Sequence, residues 1–474
     1  MNSINNKSKI IFLAVTFISC SNGFASEQLE TWSTRNPVSF WIDRAKEDWR
    51  YVDNLDDNQK TLSEKLKRID ITDSGDFKYS FNGTYRIHFV NRWNQNFVEG
   101  DRQKDEYLSR IFLGSELNYK DRARVYGELR INNTNFTDNS PVDDGGTDIH
   151  QLFLEYSNSN LFDKDWTVKL GRQEFLLTRM QFGNRELSGV QASWDAISTR
   201  FYVSDVEIGA YWGEEVLPVY KDGSWAGNFD DKGTGNKSKG IYGIVAGDYG
   251  QLTGYVLDTK IYNWSFIHAN PGWENITSLG LNAFKYTRSG FGYSGDLIYQ
   301  FGDQEGKNVS AYMGFGTINY NWDLDWKWQL GMVGHYASGT KSDDSSLHTF
   351  NPLWTDDILD AANTAAYSNV IQGGPYLSVD YAPAQTVYFG FMSTWRVSKD
   401  DAIYTKDQSL LYGADSDEKY AYTQAAIRFH NLITTNLKFD AALLYAFDSK
   451  YLEDVIDSKV ADSRRWDMQI TYNF

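Results

Sequence analysis

The sequence contains one cysteine, seven prolines and no stretch of about 18 apolar residues. The shortage of cysteine excludes a disulfide scaffold. The lack of long apolar runs excludes a membrane protein built from helices. Basic residues are the minority: 46 Lys and Arg stand against 63 Asp and Glu, for a net charge of −17. An acidic chain with no basic patch is not a nucleic-acid binder. Only 41% of the 474 residues are hydrophobic, yet Trp, Tyr and Phe make up 16%, and a disordered chain is poor in aromatics. The length allows one to three ordinary domains or a single large barrel.

The N-terminus reads as an export signal. Lys7 and Lys9 precede the apolar run from Ile10 to Ile18, and Gly23-Phe24-Ala25 offers a small-x-small cleavage site. We expect residues 1–25 to be removed, leaving a mature chain without cysteine. A lipoprotein cut before Cys20 is the alternative, and Phe17 fits it poorly.

From Phe77 onward the pattern has a period of two. Phe77, Tyr79, Phe81, Tyr85, Ile87 and Phe89 alternate with Lys78, Ser80, Asn82, Thr84, Arg86 and His88. The same alternation returns around Trp326–Tyr336 and Leu437–Phe447. Successive strand residues point to opposite faces. A soluble sandwich also alternates; number of strands, strand length and aromatic bulk favour an outer-membrane barrel. The pattern predicts eighteen strands: 77–90, 107–119, 121–133, 148–157, 165–172, 188–202, 206–213, 239–249, 251–264, 276–288, 290–301, 307–321, 324–338, 369–382, 386–397, 418–430, 434–447 and 464–474. Their connections alternate short and long, as bacterial barrels require. The fold class is therefore an all-β, transmembrane antiparallel barrel over residues 76–474, preceded by a periplasmic segment, 26–75. Within that segment, 41–67 is either a short plug or strap across the pore mouth or a linker. The last strand alternates to its end at Phe474, like the signal read by the barrel-assembly machinery.

Two blocks carry a family resemblance. Arg44–Phe89 begins R-x-x-EDW, continues through an LK-x-I segment and enters a first strand of the form S-x-x-G-x-x-R. Val168–Gln191 reads VKLGRQEFLLTRMQFGNRELSGVQ, with Ser188 where an Asp is expected. Both resemble alginate-export-type outer-membrane porins. The resemblance implies an eighteen-stranded barrel in the outer membrane of a Gram-negative bacterium, with a basic constriction passing anionic polysaccharide outward.

Channels of this size select by their lumen residues. With the apolar parity outward, Lys78, Arg86, Arg110, Arg122, Arg124, Arg130, Lys169, Lys327, Arg396, Arg428, Lys438 and Arg465 face inward. Arg172 and Arg185 join them at a strand end and in a loop. The inward acids are Glu116, Glu128, Glu155, Glu207, Asp296, Asp440 and Asp467; much other acid, such as Asp143, Asp144, Asp230, Asp231, Asp400 and Asp401, lies in long loops. The expected substrate path is Arg86, Arg110, Arg124, Arg130, Arg172, Arg185 and Arg465. The alternative is that these arginines pair with neighbouring acids and stiffen the wall. The six histidines show no metal spacing, Asp143-Asp144-Gly145-Gly146 does not match a calcium loop, and no phosphate loop is present, so no enzyme, cofactor or metal is expected. The expected partners are outer-membrane lipid and lipopolysaccharide, the anionic polysaccharide and the assembly machinery, with no nucleic acid. Two functions remain: a selective anion channel, or a general porin or structural barrel.

Overall fold

The structure is a computed structural model, and it describes residues 43–101, 105–134, 146–161, 164–178, 180–182, 192–217, 233–263, 266–355, 367–404 and 410–474. The expected signal sequence, residues 1–25, and Arg185 lie outside them.

Eighteen strands form one antiparallel sheet: β1 Phe77–Trp93, β2 Glu106–Tyr119, β3 Ala123–Thr134, β4 Gly146–Leu161, β5 Lys164–Gln173, β6 Ser193–Val203, β7 Val206–Val216, β8 Gly233–Gly247, β9 Gly250–Asn263, β10 Gly272–Lys285, β11 Gly290–Gln304, β12 Lys307–Asp323, β13 Lys327–Ala337, β14 Val370–Ala382, β15 Gln385–Arg396, β16 Tyr420–Leu432, β17 Leu437–Phe447 and β18 Ser463–Asn473. Each predicted strand is present. β4 and β8 are longer than the alternation indicated; β4 runs to Leu161 and β5 begins at Lys164, which shortens the 158–164 connection.

The sheet closes on itself because β1 pairs with β18, from Thr84↔Asn473 to Trp93↔Arg464. Closure leaves no open edge, which lipid would not tolerate. At the seam, Gly83 and Phe474 exchange backbone hydrogen bonds of 3.0 Å each. The Phe474 ring then lies over Gly83, where a Cβ would come within 2.4 Å of it. Only glycine leaves room for that terminal ring.

Burial follows the two-residue period. In β9, Gln251, Thr253, Tyr255, Leu257 and Thr259 are buried, while Leu252 and Val256 between them are exposed. The exposed set around the barrel is apolar and the buried set is largely polar, the pattern of a barrel in lipid. Leu297, midway along β11, is 62% exposed on this outer face. Leu297→Arg is expected to lower stability by about 2–4 kcal/mol and Leu297→Phe to leave it nearly unchanged. Urea titration after refolding into liposomes measures both.

The connections fall into two classes. At one end they are short, as at Lys120–Arg122, Ser204-Asp205 and Pro383-Ala384. Lys120 and Asp121 both take φ of 53°, the left-handed conformation of a tight hairpin turn. At the other end most are long, the 305–306 turn excepted. The described parts of two long ones fold into the lumen. Phe182 donates its amide to the Leu353 carbonyl at 3.3 Å. The Phe182 and Trp354 rings meet at 4.6 Å, tilted by 30°, and Trp354 meets Trp194 of β6 at 4.7 Å. These rings pack on inward Leu257, Ile276, Ala311, Met313 and Phe315. Asn351 ties the inserted loop to the wall, donating to Glu274 Oε2 at 2.6 Å and accepting from Gln300 at 2.8 Å. The β6–β14 side of the lumen is therefore filled with apolar and amide side chains.

Candidate permeation path

The other side of the lumen carries the charge. Arg86 of β1 stands directly opposite Arg110 of β2, and Phe112, two residues further along β2, stands opposite Arg130 of β3. All three arginines point inward and are 0%, 2% and 5% exposed. Three guanidinium groups thus occupy adjacent strands at nearly one height. Arg124, Arg465 and Arg130 are in plain ion pairs. Arg124 binds Glu155 at 2.8 Å and Glu116 at 2.9 Å. Arg465 binds Asp467 at 2.8 Å. Arg130 reaches Asp148 at 3.6 Å.

One expected lumen residue is placed elsewhere, and another, on the inward parity, is taken up by a loop. Arg172 shares the row of exposed Leu152 and pairs with Asp195 at 2.9 Å. Its neighbours two residues along, Leu170 and Ile197, are exposed on the outer face. Arg172 therefore lies on the outer side of the sheet, above the apolar band, and not in the lumen. Arg396 ends β15 and donates to the carbonyls of Lys399, Ser416 and Glu418 at 2.8, 2.6 and 2.6 Å. It fastens a long loop.

What the arginine spacing alone did not indicate is that the segment before β1 sits against this charged wall. Residues 43–68 contain three short 3-10 turns, Arg44–Lys46, Arg50–Asn54 and Glu64–Leu66. Asp43 caps the first by accepting from the Ala45 amide at 3.1 Å. Glu64 anchors the third, accepting from Thr61 N at 2.6 Å and Thr61 Oγ1 at 2.8 Å. Arg44 enters the lumen and grips both oxygens of Glu128 on β3, at 2.5 and 2.9 Å. Its guanidinium lies 4.0 Å from the centre of the Phe112 ring, which Arg110 approaches at 4.6 Å. Burial opposes the charge on Arg44, and the Glu128 carboxylate overrides it, so Arg44 holds its proton more tightly than a free arginine. Arg124 donates to the Ala45 carbonyl at 2.7 Å, and Gln151 donates to Asp43 at 3.1 Å. Lys67 donates to the carbonyls of Phe81 and Phe474 at 3.0 and 3.1 Å, at the barrel seam.

A second group joins here. His150 Nε2 lies 2.7 Å from Glu174 and 4.0 Å from Glu128. These three are buried and close enough to hold a metal ion. Arg44 already engages both Glu128 oxygens, so the group reads as one ionic network with the segment. Sequence spacing did not reveal it, because its members come from separate strands and a loop.

Inside the segment, Glu47 and Lys67 are 3.9 Å apart and nearly inaccessible. Burial dominates both: it pushes the Glu47 carboxyl up to about 7 and the Lys67 ammonium down to about 8. Docked Glu47 thus binds its proton more tightly than an undocked one at 4.5. Docking should strengthen as pH falls from about 7 toward 4.5 and weaken as pH rises through 7; the Lys67 effect acts above about 8. We expect smaller single-channel currents at pH 5 than at pH 7.5, with Glu47→Gln flattening the difference.

A closed barrel with an apolar exterior, inward-folded loops and a charged lumen is an outer-membrane channel. Solved Pseudomonas aeruginosa channels share the fold. OccK2 (OpdF) in complex with glucuronate superposes with a TM-score of 0.56 at 11% identity, covering 84% of this chain and 98% of that one. OccK3 (OpdO) gives 0.54 at 8% identity, covering 87% and 99%. OccK1 (OpdK) gives 0.56 at 8% identity, covering 84% and 98%. No curated protein matches the chain. Residues 77–452 match the family described as Alginate export, and the chain belongs to that family.

Proposed function

We propose that this channel passes anionic polysaccharide or oligosaccharide of the alginate type along its β1–β4 wall, in the outer membrane of a Gram-negative bacterium. One observation carries the reading: Arg86 and Arg110 face each other across neighbouring strands, with Arg130 beside them. Like charges directly opposite destabilise a sheet. A wall that keeps them suits a solute with carboxylates, which the planar guanidinium binds through two oxygens. The short-turn end then faces the periplasm, residues 43–68 act there as a stopper, and the Phe474 strand is the part met by the assembly machinery.

A general porin is the second reading. The pairing of Arg124 with Glu116 and Glu155, and of Arg465 with Asp467, favours it, because paired arginines stiffen a wall without selecting. Block of single-channel current by uronate oligomers, tested against neutral glucose oligomers of equal length, separates the two. Selective block supports the anion path; equal block leaves the general porin.

A further inference from the structure

The group of Glu128, His150 and Glu174 has a backbone irregularity built around it. β3 and β4 pair evenly as far as Glu128 opposite Gln151, and the register then jumps, so that Leu129 stands opposite Ile149. His150 is the extra residue of a β-bulge. Gln151 and Phe153 are buried and inward, and Leu152 and Leu154 are exposed, so an unbroken alternation would turn His150 outward. The bulge instead leaves His150 and Gln151 side by side, both fully buried. Bulges re-aim side chains next to functional sites. This one aims an imidazole at two carboxylates from separate elements, Glu128 on β3 and Glu174 just past the end of β5.

One ligand atom from each of the three lies within 4.8 Å of the other two. His150 Nε2 is 2.7 Å from Glu174 Oε1 and 4.0 Å from Glu128 Oε1. Ligand atoms about 2.0–2.1 Å from one zinc ion lie roughly 3.3 Å apart, midway between these two separations. His150 Nδ1 is buried with no hydrogen-bond partner among the described residues, so no hydrogen bond fixes the ring on that side. The carboxylate oxygen that faces His150, Glu128 Oε1, is the one Arg44 Nη2 holds at 2.9 Å. The other oxygen, Oε2, also accepts from the Tyr126 hydroxyl at 2.9 Å, a support of the kind that orients metal-binding carboxylates.

We infer that Glu128, His150 and Glu174 form a site for a divalent transition metal of the zinc kind, which takes the place of the Arg44 guanidinium, so that metal binding and docking of residues 43–68 exclude each other. The imidazole selects this class over Mg²⁺ and Ca²⁺, which favour oxygen ligands. Three protein ligands leave the fourth tetrahedral position to water. Arg110 on β2 and Arg130 on β3 raise the cost of adding a dication to the docked wall. Exchange for Arg44 changes the local charge by only one, so the ion replaces the guanidinium and does not join it. Linkage then requires that whatever weakens docking strengthens metal binding by the same factor. The effect on current rests on the stopper reading of residues 43–68, whereas the site itself rests on wall residues alone.

Isothermal calorimetry with Zn²⁺ on the untagged mature protein in detergent tests it, with Mg²⁺ as the control ion. Arg44→Ala and the protein lacking residues 26–66 should each bind one zinc about tenfold or more tightly than the unaltered protein, within the range usual for coupled sites. Adding His150→Gln or Glu174→Gln to Arg44→Ala should abolish that binding, with heat-shifted gel migration confirming a folded barrel. Mg²⁺ should not compete. Equal zinc affinity with and without Arg44, no zinc binding in either altered protein, binding that survives His150→Gln, or equal binding of Mg²⁺ overturns the site. In planar bilayers, zinc should raise the current of the unaltered protein and leave that of the shortened protein unchanged. Tight binding with no change of current in the unaltered protein would count against the stopper and leave the metal site standing.

Discussion

Arg44→Ala is expected to raise single-channel conductance severalfold, and removal of residues 26–66 to raise it at least as far. Arg44 is the deepest attachment of the segment, and its loss leaves Glu128 buried and charged with its bidentate partner gone. Removing one member of a buried ion pair costs about 3–5 kcal/mol. The barrel can escape that penalty by releasing the segment and letting water reach Glu128. Lys67 to the seam carbonyls and the Arg68–Asp121 ion pair hold the far end, while near Arg44 the remaining anchors are hydrogen bonds, Arg124 to the Ala45 carbonyl and Gln151 to Asp43. Such bonds contribute about 1–3 kcal/mol each against the ordering entropy of some twenty residues. The Arg44 end of the segment should therefore leave the wall, while the Arg68–Asp121 pair keeps the far end in place. The charge swap Arg44→Glu with Glu128→Arg should restore low conductance, which separates the pair from a general loosening. Planar-bilayer recordings check all three. Unchanged conductance in both the Arg44→Ala and the shortened protein would sink the stopper and leave residues 43–68 as a strap that braces the wall.

The barrel was legible because its signal is local. A strand needs only its own alternation to declare both faces, so all eighteen appear in the pattern, and Phe474 ends the last one on the outer parity. The mistake arose where parity was not applied. Arg172 follows Leu170 by two residues and so shares its outer face. Counting Arg172 with the lumen residues ignored that parity, and on the outer face it is paired with Asp195. The stopper was only half legible: composition allowed it, but Arg44 and Glu128 are 84 positions apart and nothing periodic links them. The filled side of the lumen was hidden for a related reason. Trp194 and Tyr255 are inward aromatics, and an aromatic in an alternating strand reads as facing lipid unless the loop that will cover it is known.

The wall behind the stopper supplies the second large effect. Arg86→Gln with Arg110→Gln is expected to reduce anion over cation permeability by about tenfold or more. A carboxylate about 6 Å from one guanidinium gains roughly 0.7 kcal/mol at the dielectric of water and about 3 kcal/mol at an effective dielectric near 20. Two arginines give about 1.4 kcal/mol at the lower limit, which is a factor of ten. The confined wall lies between those limits, and salt screens it less than the exposed acidic loops. Glutamine keeps hydrogen-bonding capacity at both positions, so the change is mainly one of charge. Since Arg86 and Arg110 are buried in the complete protein, the measurement belongs in the protein lacking residues 26–66 as well as in the complete one. Reversal potentials in a KCl gradient give the permeability ratio, and uronate oligomers added to one side give the block. The anion reading expects chloride preference and uronate block in the shortened protein, both diminished by the double change. Cation preference there, with no uronate block, would remove the selective channel and leave a porin whose arginines serve its own carboxylates.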